Sequence, residues 1–171
     1  YKTVCFEKNS EIDNWAGSRP TSFDFYFETE SGLKFYFEIK YTENEFGRAK
    51  DDDEHIAKYE KVYKNKLQNI RDKYKNRKTF LDNYQMIRNL IHINNDSYVV
   101  FIYPQDNFKI NERIKKTKTE ILEESAKSYF YSLSWEKLVE YIDKANTKLS
   151  LKLQKNVEDF KTKYIPKEPS P

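Results

Sequence analysis

The sequence contains little glycine and little cysteine, and each shortage excludes a class of site. Its 171 residues include 3 glycines, which leaves no glycine-rich loop of the kind that cradles nucleotide phosphates. Cys5 is the only cysteine, so no internal disulfide is possible within this sequence and a reducing cytoplasm is the expected location. The sequence also has no CxxC and no GxSxG motif.

Long hydrophobic runs are lacking as well. The longest apolar run covers residues 98–103 and is stopped by Pro104, whereas a transmembrane helix needs roughly 20 apolar residues. No stretch has the pattern of a cleavable signal sequence. We therefore expect no membrane partner.

The sequence is rich in charged and aromatic residues. Charged residues make up 35% and aromatic residues 16% of the chain, with a formal net charge of +3. This mildly basic balance permits a polyanionic partner without requiring one. The length suits one domain with a sizeable core, and we predict a single domain over residues 1–165 followed by a flexible tail at 166–171.

Residues 22–41 have the pattern of a β-hairpin. Apolar and polar side chains alternate strictly over 23–28 and again over 35–41, which is typical of amphipathic strands. The polar stretch Glu30-Ser31-Gly32 fits a three-residue hairpin loop with glycine in the left-handed position. The alternation places three side chains on one face of the first strand: Phe23, Phe25 and Phe27. The loop is predicted to pair Thr29 with Leu33, Phe25 with Phe37, Phe23 with Ile39 and Asp24 with Glu38.

The predicted register sets two carboxylates opposite each other. The Cβ atoms of Asp24 and Glu38 would be about 5 Å apart, with Lys40 as a diagonal neighbour on the same face. Facing carboxylates are tolerated when one is protonated or when a cation lies between them, and their hard oxygens suit Mg²⁺ or Mn²⁺. A lysine beside such a site can orient a water or stabilise negative charge. The alternative is that all three residues are solvated on the polar face of the hairpin.

This combination of residues resembles a known group of nucleases. Asp24, a hairpin turn and then Glu38-Ile39-Lys40 resemble the PD-(D/E)xK nuclease superfamily, which has the restriction-endonuclease-like fold. The longer stretches 19–26 and 37–47 are similar to a little-characterised bacterial branch of that superfamily. The sequence departs from the motif at one point, because Pro20 lies four residues before Asp24 rather than directly before it.

The resemblance implies an α/β fold and a metal-dependent reaction. The restriction-endonuclease-like core, a mixed central sheet flanked by helices, would cover about 7–103, with a helical elaboration over 105–165. Hydrolysis of DNA phosphodiester bonds would depend on Mg²⁺, for which Mn²⁺ substitutes, in a setting such as defence or DNA processing. The implied metal ligands are Asp24, Glu38, the Ile39 carbonyl and an acid from the first helix, for which Glu11 is the first candidate and Glu7 and Asp13 are alternatives.

The resemblance also implies roles for residues around the metal. Lys40 would position the attacking water or stabilise the pentavalent phosphate, and Lys40→Ala is predicted to abolish cleavage and to leave folding intact. Some branches of the superfamily place a glutamine on the helix after the motif strand. By that resemblance Gln85 would reach the attacking water or a phosphate, and Arg88 a phosphate. The alternative is that Gln85 and Arg88 form an ordinary pair on a helix surface.

The remaining pattern predicts several further elements. Residues 1–18 are predicted to contain a short helix. Residues 98–103 are predicted to form a strand that is buried on both faces and lies beside the strand that carries Glu38-Ile39-Lys40. Residues 129–133 are predicted to form the last strand. Further helices are predicted over 54–78, 79–93, 111–127, 135–145 and 149–164.

The segment 58–78 is strongly basic. It holds nine lysines and arginines against two acids, interleaved with tyrosines, a pattern that suits the tracking of a phosphate backbone. The predicted DNA contacts are Lys58, Lys61, Lys64, Arg71 and Lys75. The alternative is a solvated helix face. Two other functions stay open, a nucleic-acid-binding module without cleavage and a protein-interaction domain, and a homodimer is one possible assembly.

Overall fold

A five-stranded mixed sheet forms the centre of the protein. The computed structural model describes residues 1–13, 15, 19–145 and 148–165, so the tail predicted at 166–171 lies outside the described residues. The spatial order of the five strands follows their order in the sequence. The first three strands pair antiparallel and the last three pair parallel, so the predicted α/β class with a mixed sheet is confirmed. The strands are β1 Thr3–Asn9, β2 Ser22–Glu28, β3 Lys34–Ile39, β4 Ser97–Tyr103 and β5 Phe130–Ser134.

Helices connect the parallel strands and extend the chain after the sheet. They are α1 Asp53–Lys58, α2 Arg77–Asp82, α3 Tyr84–Leu90, α4 Phe108–Lys116, α5 Trp135–Lys144 and α6 Leu151–Tyr164. The last two begin at the serine caps Ser134 and Ser150, whose hydroxyls accept backbone N–H bonds. No helix among the described residues combines the length and the apolar character that crossing a membrane requires.

The predicted hairpin is present. Phe25 pairs with Phe37, and the N–H of Thr29 donates to the carbonyl of Leu33 at 2.9 Å. Gly32 has a φ of +88°, a conformation that glycine adopts without steric cost. The loop therefore fixes the register as the sequence indicated.

The described residues of the first 18 form no helix and contain the strand β1, so the helix predicted there is wrong over these residues; residues 14 and 16–18 lie outside the described part. β1 forms one edge of the sheet and pairs with β2 through Val4–Phe27 and Phe6–Phe25. Five of its seven residues are exposed, so the strand lacks the strict alternation of a half-buried strand. Pairing with β2 supplies the hydrogen bonds that the local pattern does not reveal.

The long helix predicted over 54–78 is also wrong. After α1 the chain forms one π-helical turn and two short 3₁₀ turns before α2 begins at Arg77. Contacts with distant residues hold the irregular backbone: the Lys66 ammonium donates to a carbonyl of the N-terminal segment, and the Asn69 amide donates to the Ile93 carbonyl. Ile70 also forms an isolated bridge with Leu122. These tertiary bonds override the local helical spacing.

The other predicted elements are confirmed with shifted ends. The helix predicted over 79–93 is divided at Asn83 into α2 and α3. The helix predicted over 111–127 begins earlier, as α4, and continues as a π turn and a 3₁₀ turn. β4 lies parallel to β3, and six of its seven residues are buried, as predicted for a central strand.

A buried polar network anchors the N-terminal segment to α3. His92 is 2% exposed; its Nδ1–H donates to the Asn89 carbonyl, and its Nε2 accepts from the Ser10 hydroxyl at 2.7 Å. Ser10 in turn accepts the backbone N–H groups of Ile12 and Asp13. Both ring nitrogens are used by the neutral imidazole, and burial lowers the pKa of His92 to about 4.

We expect this histidine to make stability depend on pH. The folded-state pKa of about 4 lies below the ordinary value of 6.5, so the unfolded chain takes up the proton first and stability falls as pH drops from 6.5 towards 4. Between pH 7.5 and 5.5 the expected loss in free energy of unfolding is about 1 kcal/mol. Urea denaturation at the two pH values measures it, and His92→Gln should remove this part of the dependence. An equal loss in the variant would contradict the assignment.

Candidate active site

The candidate carboxylates lie where β2 and β3 separate. The last paired residues towards the site are Phe25 and Phe37, and beyond them the Ile39 N–H donates to Asp24 Oδ2 at 2.6 Å. A side-chain carboxylate thus takes the place of a backbone acceptor in the ladder. The predicted backbone pairings of Asp24 with Glu38 and of Phe23 with Ile39 are therefore both absent from the ladder, and the bond from Ile39 to Asp24 takes their place.

The predicted common face of the three phenylalanines is wrong at its first member. Phe23 is fully buried, and its ring packs against Tyr36 and His92 with centroid distances of 4.9 and 4.8 Å, whereas Phe25 packs against Phe37. The alternation of side chains between the two faces of β2 is therefore interrupted beside Asp24. Glu7, in the neighbouring strand β1, has a φ of +53°. This irregular backbone is confined to the site, and the apolar/polar alternation of the sequence does not predict it.

Asp24 is electrostatically coupled to the rest of the motif. Burial raises the pKa of Asp24 above its ordinary value, the Ile39 N–H bond opposes that rise, and the Glu38 charge adds to it. Lys40 lowers the same pKa and Glu7 raises it. The predicted neighbours Asp24, Glu38 and Lys40 therefore share one electrostatic environment, in which a divalent cation would relieve the repulsion between the carboxylates.

Glu38 is a buried carboxylate with three donors. It is 5% exposed, and Oε1 accepts from Gln85 Nε2 at 2.6 Å and lies 2.9 Å from Lys40 Nζ. Oε2 accepts from Asn89 Nδ2 at 3.0 Å. One ammonium and two amides thus compensate the buried charge, and they fix the direction in which the remaining lone pairs of Glu38 point.

Lys40 is buried with its partner. Its side chain is 6% exposed, and Nζ also lies 3.4 Å from Gln85 Oε1 and 5.5 Å from the centre of the Phe46 ring. The Lys40 backbone is fixed on both sides, because its N–H donates to the Ile102 carbonyl and its carbonyl accepts from Trp135 Nε1 at 2.9 Å. The ammonium is therefore held in place.

Gln85 is positioned by a glycine. The side-chain Oε1 of Gln85 accepts the Gly47 N–H at 2.7 Å, and the backbone N–H of Gln85 donates to the Gly47 carbonyl at 3.0 Å. A Cβ at Gly47 would lie 3.4 Å from that Oε1, at the short end of ordinary van der Waals contact, so the hydrogen bonds to the Gly47 backbone rather than the missing side chain position Gln85. The amide oxygen is engaged by Gly47, and this orientation directs Nε2 at Glu38.

The three N-terminal acids have different environments. Glu11 is exposed and its carboxylate pairs with Lys8 at 2.9 Å, which lowers the pKa of Glu11. Asp13 is fully buried and accepts bonds from Thr21 and the Tyr63 hydroxyl. Of the three, Glu7 is the one whose charge acts on the pKa of Asp24.

Lys58, one of the predicted DNA contacts, is buried, and it therefore does not belong to a solvated helix face either. It is 3% exposed; its Nζ donates to the Arg19 carbonyl at 2.7 Å and lies 3.9 Å from Asp13 Oδ2. An ammonium with these partners serves the N-terminal network. It offers no exposed charge to a polyanion.

The other predicted phosphate contacts are arranged in separate environments. Lys61 lies over the Trp15 ring, whereas Arg88 lies over the Tyr84 ring at 5.0 Å and has a buried Nε without a partner among the described residues. The remaining three engage nearby groups: Lys64 pairs with Glu60, Lys75 with Asp72, and Arg71 donates to the Thr119 carbonyl.

The donors suit a hard cation, although they are few. Within the part of the chain that the structure describes, no group of three or more histidine, cysteine, aspartate or glutamate side chains could hold a metal ion. Asp24 and Glu38 provide two carboxylates, and oxygen ligands with water completing the shell are what Mg²⁺ prefers. In chemical type, these two carboxylates therefore suit Mg²⁺.

The sequence did not single out two residues of this site. Asn89 of α3 donates to Glu38. The sequence could have predicted this contact, because Asn89 lies four residues after Gln85 and therefore on the same face of the helix. Its Oδ1 is buried without a partner among the described atoms. Trp135 supports the Lys40 carbonyl from across the sheet, and no sequence pattern links positions 95 residues apart.

Comparisons with known proteins identify one family. The chain matches the model of this family over residues 2–165, and the family is described as Restriction Endonuclease associating with ARP. No curated protein and no solved structure matches the chain. The family match agrees with a relationship to restriction endonucleases. Because it covers almost the whole sequence, the chain belongs to the REase-ARP family, the restriction endonucleases associating with ARP.

Proposed function

We propose that the protein is a Mg²⁺-dependent DNA nuclease of the PD-(D/E)xK type with a restriction-endonuclease-like core. The observation that supports this most is the arrangement around Glu38. A buried carboxylate lies 2.9 Å from the Lys40 ammonium and influences the pKa of Asp24 on the neighbouring strand. A partly buried carboxyl whose pKa is raised by burial and by a neighbouring charge is more frequent at functional sites than elsewhere.

Each residue of the site has a distinct role in this proposal. Asp24, Glu38 and the Ile39 carbonyl would hold the ion, which when bound lowers the pKa of a coordinated water. Lys40 donates to the attacking water or to a non-bridging phosphate oxygen, where its charge opposes the developing negative charge. Gln85 and Asn89 act through Glu38, because they orient its carboxylate.

A cleft beside the site is the proposed path of the DNA backbone. It encloses about 510 Å³ and is lined in part by Phe46, whose ring lies 5.5 Å from Lys40 Nζ. Three acidic and five basic side chains line the cleft. The basic ones are Arg48, Lys109, Arg113, Lys115 and Lys116. Clustered cations of this kind bind phosphates, and Phe46 connects this cleft to Lys40.

A cleavage assay tests the proposal. Plasmid DNA and single-stranded DNA are incubated with purified protein and Mg²⁺, Mn²⁺ or EDTA. We expect cleavage with either ion and none in EDTA, because the site provides carboxylates and no nucleophile of its own. Salt-sensitive DNA binding that is indifferent to EDTA, without cleavage, would instead identify a binding module.

We also propose that one face of the sheet binds a protein partner, as the family description suggests with its reference to ARP. Aromatic rings follow one another across the strands on this face, from Phe6 to Phe25 at 5.2 Å and from Phe25 to Phe37 at 5.3 Å. Phe6 is 75% exposed and Val4 is 43% exposed. Exposed apolar side chains that adjoin one another are typical of interaction sites.

A matched pair of variants tests this second function. Phe6→Glu should weaken binding of the purified ARP protein roughly 10-fold or more, because an exposed aromatic anchor is lost. Phe108→Glu is the control, since Phe108 is 74% exposed and lies on α4. Isothermal titration measures both. Equal affinity for the two variants would contradict the assignment of this face.

A further inference from the structure

An aromatic cluster adjoins the candidate active site. Tyr41 follows Lys40 and stacks on Trp135 at 5.0 Å with an interplanar angle of 25°. Tyr41 also contacts Tyr164 of α6 at 5.8 Å, and Phe160 contacts both Trp135 and Tyr164. The segment after β3 thus meets α5 and α6 at one point, which we call the aromatic platform: Tyr41, Trp135, Phe160 and Tyr164.

The platform is partly exposed and firmly supported. Tyr41 is 46% exposed and Tyr164 47% exposed. Trp135 is fixed by its bond to the Lys40 carbonyl, so the ring beneath Tyr41 is held by the same residue that carries the candidate catalytic ammonium. Rigid aromatic rings with accessible surface stack with nucleobases at little entropic cost.

The platform is also close to Lys40. Tyr41 directly follows Lys40, and Trp135, on which Tyr41 stacks at 5.0 Å, donates to the Lys40 carbonyl at 2.9 Å. Tyr41 also lines a cleft that shares Phe108 and Lys109 with the basic cleft. A strand that follows these clefts therefore passes Tyr41, the residue next to Lys40 in the sequence.

We propose that the aromatic platform binds an unstacked nucleobase next to the scissile phosphate, so that the protein acts on single-stranded or unpaired DNA. This inference rests on the proposed nuclease function for the position of the phosphate. Bases within a duplex are stacked on their neighbours and offer no free face, whereas an unpaired strand offers one at every nucleotide. The Lys163 ammonium, 5.0 Å from the Tyr164 ring, adds a cation beside the platform.

Binding measurements in EDTA test the inference independently of cleavage. Fluorescence anisotropy is recorded with a labelled oligothymidylate, with the same oligonucleotide carrying consecutive abasic sites, and with a duplex of equal length. Wild-type protein should bind the oligothymidylate at least about 10-fold more tightly than the abasic strand, since each stacked base contributes roughly that much. It should also prefer the oligothymidylate to the duplex.

Variants at Tyr41 distinguish stacking from packing. Tyr41→Leu keeps an apolar contact with Trp135 and should lose about 10-fold in affinity for oligothymidylate while binding the abasic strand unchanged, whereas Tyr41→Phe should retain wild-type affinity. Tyr141→Leu is the control, because Tyr141 is 53% exposed on α5. Equal losses for both strands, no loss in Tyr41→Leu, or tighter duplex binding by wild type would overturn the inference. Absence of cleavage with intact base-dependent binding would overturn only the proposed nuclease.

Discussion

Cleavage by Lys40→Ala is expected to fall about 1,000-fold, while the affinity for Mg²⁺ stays the same or increases. The loss follows because the ammonium is the cation positioned to oppose negative charge on the phosphate, and removing such a group costs roughly 10²- to 10⁴-fold. The affinity is kept because Lys40 is not a ligand. In the wild type the ammonium lies 2.9 Å from Glu38 and would compete with a bound ion for the same carboxylate.

The structure also revises the expectation that this substitution leaves folding intact. Lys40 and Glu38 are 5% exposed each, and removing one member of a buried ion pair costs about 3 kcal/mol. Lys40→Ala should therefore lower the free energy of unfolding in EDTA, and Mg²⁺ should restore part of it by binding Glu38. Urea denaturation with and without the ion measures both effects.

A folded Lys40→Ala protein that cleaves as fast as wild type would show that Lys40 has no catalytic role. Lys78→Ala provides a control, because Lys78 is 84% exposed in a surface pair with Asp82. Its cleavage rate and its unfolding free energy should both remain at wild-type values, since exposed pairs contribute little.

Asp24→Asn is expected to reduce cleavage by about 1,000-fold through loss of the metal, since coordination supplies several kcal/mol of transition-state stabilisation. The substitution suits this test because an asparagine oxygen can still accept the Ile39 N–H bond that Asp24 accepts at 2.6 Å. Burial also raises the pKa of Asp24, so a neutral side chain is tolerated there. The fold should therefore be retained, and circular dichroism checks it.

Glu11→Gln separates the N-terminal acids in the same assay. Glu11 is exposed and paired with Lys8, whereas Glu7 acts on the pKa of Asp24. We expect Glu11→Gln to leave cleavage unchanged and Glu7→Gln to raise the Mg²⁺ concentration needed for half-maximal rate. If Asp24→Asn cleaves at the wild-type rate, and if that rate depends on Mg²⁺ concentration as in the wild type, Asp24 is not a metal ligand.

The sequence predicted the hairpin because several local signals agree there. Alternation, a three-residue loop and the left-handed Gly32 each fix the same register. The separation of β2 and β3 beyond Phe25 was not predictable. Asp24 fits the apolar/polar alternation of a regular strand, yet its carboxylate replaces a backbone carbonyl as the acceptor of the Ile39 N–H. The two predicted pairings that failed, Asp24 with Glu38 and Phe23 with Ile39, are thus those at the candidate site.

The two wrong helices have a common physical cause. β1 is exposed along most of its length and gains its hydrogen bonds from β2. The chain after α1 is held by Lys66 and Asn69, which bond carbonyl groups of distant segments. In both places long-range bonds decide the backbone, and local periodicity carries no information about them.

Titration of Mn²⁺ into wild-type protein and Asp24→Asn, followed by the electron paramagnetic resonance of free Mn²⁺, is the most direct test of the shared metal site. We expect wild type to bind one ion per chain and Asp24→Asn to bind it at least about 10-fold more weakly. Equal affinity in the two proteins, or no binding by wild type, would contradict a site formed by Asp24 and Glu38.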